Sequence, residues 1–151
     1  MISRNALFVL VFIGCCTSAS LAIYQDCGSL DGAIEGLEVS KCAATARRCI
    51  LRRNTNATMT IKFKTNTDSD SLKAVVHGMI MGMPVPFSLP NPNGCKDSGV
   101  DCPIHAGNSY QYVTSMPILS SYPRVTVDIK WEIQDAQGRD IICAMIPAKI
   151  A

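Results

Sequence analysis

The sequence predicts an all-β domain, a two-sheet sandwich of short strands, and three observations carry that reading. Val125, Val127, Ile129, Trp131 and Ile133 alternate with Thr126, Asp128, Lys130, Glu132 and Gln134; a period of two makes one strand face apolar and leaves the other wet. No segment shows a convincing helical stripe, while Pro84, Pro86, Pro90, Pro92, Pro103, Pro117 and Pro123 confine the middle of the chain to edges, turns and strand ends. Beyond an N-terminal leader the chain keeps an even set of six cysteines, as exported, disulfide-stapled domains do. Short strands with turn signals at this spacing favour a sandwich. An up-and-down barrel meets the same signals and stays open at this point.

The leader comes first. Arg4, the apolar run 6–14 and the small residues of 17–22 follow the order of a secretory signal peptide, cleaved after Ser20 or, by the small-residue rule, after Ala22. No other stretch approaches the roughly 20 apolar residues of a membrane-spanning helix, so a soluble exported domain over 23–151 is expected. Residues 34–39 supply a first strand. Met59, Ile61 and Phe63 alternate with Thr58, Thr60, Lys62 and Lys64 in a second. Residues 72–81 and 110–116 are further candidates, and 141–150 returns after the turn 135–138 as the partner of the long strand 125–134. No repeat or low-complexity linker divides these elements, so they form one domain.

Charge and motifs narrow the function. Fourteen Lys+Arg face 12 Asp+Glu, and the leader holds only Arg4, so the exported domain is nearly neutral and lacks the phosphate-neutralising charge that nucleic-acid binding needs. Arg47, Arg48, Arg52 and Arg53 make one local basic cluster within the hairpin 43–53, read as a solvated loop. His77 and His105 are the only histidines, and no G-x-S-x-G, H-E-x-x-H or phosphate-cradling glycine loop accompanies them. No enzyme, cofactor or metal site is expected. Cys42/Cys49 and Cys95/Cys102 each enclose six residues and suggest local clips, which leaves Cys27 and Cys143 to join the start of the domain to its last strand. Asn56-Ala57-Thr58 is the single N-x-S/T sequon, so Asn56 is a candidate glycan site beside a strand. The informative anomaly is apolar: residues 75–92 hold three methionines, two glycines and four prolines without a formally charged side chain. Such a stretch suits a cavity wall with a deformable methionine surface outside it.

Seven segments then stand in register with a known pattern: Asp26-Cys27-Gly28-Ser29, Ala74-Val75-Val76-His77-Gly78, Met81-Gly82-Met83-Pro84-Val85-Pro86-Phe87, Asn93-Gly94-Cys95, Cys102-Pro103-Ile104, Ser121-Tyr122-Pro123 and Ile146-Pro147. Together they resemble the Niemann–Pick C2 branch, of invertebrate type, of the ML (MD-2-related lipid-recognition) family, over essentially all of 23–151. The resemblance implies an immunoglobulin-like two-sheet β-sandwich with three disulfides, Cys27–Cys143, Cys42–Cys49 and Cys95–Cys102, and an internal apolar pocket. It assigns the pocket wall to Val39, Phe87, Met116, Ile118, Tyr122 and Trp131. It likewise assigns an exposed patch for membranes or a sterol-accepting membrane protein to His77, Gly78, Met79, Met81 and Gly82. The function so implied is carriage of a cholesterol-like sterol by a monomer, in the lysosomal lumen or extracellular fluid. The alternative is an ML-type carrier of other lipids, whether fatty acids, chemical signals or microbial glycolipids.

Overall fold

Strands form where apolar residues recur at every second position, and the computed structural model describes them over residues 23–151. The signal peptide read over 1–22 lies outside the described residues. The strands are β1 (Gln25–Asp26), β2 (Gly32–Val39), β3 (Cys49–Leu51), β4 (Thr55–Thr65), β5 (Lys73–Ile80), β6 (Met83–Phe87), β7 (Ser109–Ile118), β8 (Thr126–Gln134) and β9 (Asp140–Ile150). One sheet runs β1-β9-β8-β5-β6, with β3 parallel to β9; the other runs β2-β4-β7. Among the described residues no strand ladder closes one sheet onto the other, so the sandwich holds and the barrel does not.

The long strands start within a few residues of their expected positions, because each buries one parity of its side chains. Val127, Ile129, Trp131 and Ile133 of β8 face inward against Ile61 and Phe63 of β4 and Tyr112 of β7, all of them buried. Burying a side chain of this size stabilises the fold by roughly 1.5–3 kcal/mol. The β8–β9 turn is held by Asp135, whose carboxylate accepts the N–H groups of Gln137 at 2.9 Å and Arg139 at 3.0 Å. Burial pushes that carboxyl up, but these donors and the Arg139 guanidinium outweigh it and hold it below its ordinary value.

Three strands escape the alternation. β3 is a three-residue parallel strand and β1 only two residues long, too short to show a period. β6 carries Pro84 and Pro86 and still pairs, because it lies at the edge of its sheet. The two prolines share one parity, so Met83, Val85 and Phe87 are left to serve the ladder with β5. Asn56 lies inside β4, exposed, rather than just ahead of a strand.

Two of the three expected bridges are present, Cys27–Cys143 and Cys95–Cys102. The third requires correction. Cys42 and Cys49 are thiols, the first half-buried in the turn after β2 and the second buried at the head of β3. The Cys42 thiol lies 4.0 Å from the Ala43 carbonyl oxygen and within hydrogen-bond reach of the Cys49 thiol. Burial first, and then the hydrogen bond with the neighbouring Cys42, push the Cys49 thiol up to about 12.

Candidate functional site

The sheets part at one end of the sandwich and leave a cavity of about 150 Å³. Alternation supplies its walls. Val76 and Ile80 of β5 and Val127 and Ile129 of β8 face it from the large sheet, Met116 and Ile118 of β7 from the small one. Gly78 also lines it, where a Cβ would come within 3.1 Å of the Val127 Cγ2; a larger residue there would press on the wall. The outer end lies between β6 and the β7–β8 loop, at Val85, Phe87, Tyr122 and Pro123. The rings of Phe87 and Tyr122, both half-buried, meet with centroids 5.3 Å apart and planes at 65°, the edge-to-face arrangement that aromatic quadrupoles favour. Burial pushes the Tyr122 hydroxyl above its ordinary value.

The loop that carries Tyr122 is tied down from behind. Arg53 donates from Nη1 to the Ser120 carbonyl at 3.0 Å, and Asn54 N–H donates to the Ile118 carbonyl at 2.7 Å. Arg48 similarly donates to the Ala148 carbonyl at 2.9 Å and pairs with Asp128 at 3.6 Å. The basic cluster therefore divides: Arg48 and Arg53 fasten backbone, while Arg47 and Arg52 stay exposed. Beneath the cavity lies a second, much smaller chamber of about 10 Å³, lined by Val39, Ala57, Met59, Trp131 and Ile146 among others.

On β6, in the turn before it and just after β7, apolar side chains stand in solvent. Met81 is 96% exposed, Met83 69%, Val85 47% and Leu119 46%. Met81 and Gly82 form the β5–β6 turn with φ of 52° and 77°, a left-handed pair that pushes the methionine outward.

Comparison with known proteins agrees with this architecture. The sequence profile of the ML domain matches residues 22–150. The chain belongs to the ML family. This ML domain is 45% identical to the NPC intracellular cholesterol transporter 2 homolog a of Drosophila melanogaster, over 84% of this chain and 86% of that one. It is 44% identical to the ecdysteroid-regulated 16 kDa protein of Manduca sexta, over 88% and 91% of the two chains. The crystal structure of a Niemann-Pick type C2 protein from Japanese carpenter ant superposes with a TM-score of 0.82 at 30% identity, covering 85% of this chain and 99% of that one.

Within this ML domain the six expected wall residues fall into two groups. Phe87, Met116, Ile118 and Tyr122 line the cavity, whereas Val39 and Trp131 line the inner chamber, which Met116 also reaches. The five expected patch residues separate more sharply, because β5 alternates. Gly78 sits in the cavity wall, which His77 also borders, and Met79 on the outer face opposite Asp128. The His77 ring is half-buried, its Nδ1 4.0 Å from Glu132. Only Met81 and Gly82 stand at the exposed turn. Sequence reading missed Leu51 and Ile150 as wall residues, and nothing local marks them. It also passed over Val127 and Ile129, although they share the parity of Trp131 and the same alternation points to them.

Proposed function

We propose that this ML domain is a non-enzymatic carrier of a cholesterol-like sterol, taking one molecule per monomer and passing it between membranes or to a membrane protein. The observation that carries this is the hydrocarbon-walled cavity with its exposed apolar rim of Met81, Met83, Val85 and Leu119. A lipid entering there moves its apolar surface from water to aliphatic and aromatic walls, at about 25 cal/mol per Å² before association costs. A hydroxyl left at the mouth keeps its hydrogen bonds to water. The relatives named as cholesterol transporters support the sterol class. The rim of methionines supports transient contact with a bilayer surface or an acceptor protein, since an apolar side chain standing in water gains by entering the lipid interface. The signal-peptide pattern of 1–22 supports export to the lysosomal lumen or extracellular fluid, and the exposed Asn56 supports N-glycosylation there.

A second reading, carriage of fatty acids or other slender lipids, has one observation in its favour: about 150 Å³ is small beside the roughly 300–1,000 Å³ of ligand pockets. One experiment decides between them. A fluorescent sterol titrated into the purified protein is expected to saturate at one per monomer and to be displaced by cholesterol. Absence of sterol binding alongside saturable fatty-acid binding would establish the second reading.

A further inference from the structure

The cavity and the inner chamber share three wall residues. Leu51, Met116 and Ile129 line both and so form the septum between them. Neither space holds a lipid by itself, since the chamber has room for about one water-sized body and the cavity falls short of a ligand pocket. A lipid that fills the fold therefore has to breach the septum.

The three residues differ in how readily they yield. Ile129 is β-branched and stiff about χ1, and it lies in mid-sheet with Gly78 on one side and Ile146 on the other. Leu51 sits on β3, held against β9 opposite Ile150. Met116 has an unbranched thioether chain with three rotatable bonds, which adapts to irregular gaps. Its ladder partner on β4 is Ala57, a single methyl that itself lines the chamber. Lateral room therefore lies beside the one flexible member of the septum.

We propose that Met116 is a rotamer gate that sets how deep a lipid tail reaches. In the structure it stands, with Leu51 and Ile129, between the two spaces. Swung aside, it joins the two spaces into one channel running to Val39, Met59 and Trp131. The inference rests on the lipid-carrier reading and adds its specificity. The inner walls are almost wholly hydrocarbon, sulfur and aromatic ring, so the end that enters is an unsubstituted tail, and the site ranks lipids by tail length.

Two long–short ligand pairs read the gate by displacement of a fluorescent lipid probe: cholesterol against the same sterol nucleus without its side chain, and stearate against laurate. Met116→Ile puts a stiff branched chain in the septum and is expected to lower the long-over-short affinity ratio about ten-fold, because each methylene kept out of the chamber forfeits about fourfold. Met116→Leu, closer in shape, should lower it less. Met116→Ala, which takes the flexible member out of the septum, should hold the ratio at or above wild type; should that variant fold poorly, the Ile and Leu variants carry the test. An unchanged ratio in Met116→Ile, or equal weakening of long and short ligands, overturns the gate. A wild type that binds the fatty acids but neither sterol overturns the sterol reading alone, and the fatty-acid pair then decides the gate. Binding of neither pair overturns both.

Discussion

Phe87 supplies apolar area at the mouth and braces Tyr122 edge-on, so its removal acts on ligand and wall together. Phe87→Ala is expected to weaken sterol binding by about 1–3 kcal/mol, the value of the deleted ring surface where the site relaxes little; isothermal titration of the variant against wild type measures it. A second residue governs acid behaviour. Asp140, opposite Gln134 on the outer face of the large sheet, has its carboxyl raised to about 6, by burial first and then by the neighbouring Glu132, with Gln134 and Lys130 partly offsetting both. Folded protein thus keeps a proton on Asp140 between about pH 4 and 6, where the unfolded chain has lost it. The resulting stabilisation is complete below the ordinary carboxylate value and disappears as pH rises through about 6. Asp26 and Asp135 work in the opposite sense. Both are held below their ordinary value, so their contribution is present above that value and is lost as pH falls through their lowered ones. Thermal stability is therefore expected to rise as pH drops from 7 to about 4.5 and to fall at lower pH. Asp140→Asn should flatten the first limb, and melting curves across that range would refute the assignment if it does not.

At the scale of elements, the bridge from the N-terminal segment to β9 fixes the longest closed loop in the domain, with 116 residues of sequence separation. Replacing Cys27 and Cys143 together by serine is expected to cost about 2–5 kcal/mol, read from the denaturant midpoint at unchanged slope. The long strands were legible because burial of one face imposes a period of two, and β8 shows it over its whole length. β3 was not legible: its three residues are ordered by pairing with β9, a partner a hundred positions away, and no local pattern records a non-local ladder. β6 was legible only as an edge, since prolines advertise where a ladder ends and not whether one exists. The wall residues divide the same way. Phe87, Ile118 and Tyr122 came from family resemblance. Val127 and Ile129 were implied by parity alone, and Leu51 and Ile150 depend on β3 lying against β9. The fate of Cys42 and Cys49 was hidden too, because seven positions of separation say that two thiols are near and not whether they are joined.

For the whole molecule, binding and delivery belong to adjacent but different surfaces. Met81 stands at the tip of the β5–β6 turn and takes no part in the cavity wall. Met81→Asp should therefore leave equilibrium sterol affinity near wild type while slowing vesicle-to-vesicle transfer, because a carboxylate resists the lipid interface. Equal loss of both would mean that the turn belongs to the binding site. A protein with such a tip has a second problem, which is its own neighbours. Two copies meeting rim to rim would bring free strand edges together, and an unpaired edge beside exposed apolar side chains is the usual seed of sheet-to-sheet growth. Here that edge is β6. With Pro84 and Pro86 on one parity and β5 served by the other, the outward row offers no amide hydrogens at those two positions, so an incoming strand finds acceptors without donors. The prolines that mark the strand as an edge in the sequence also leave it two donors short, which works against polymerisation along it.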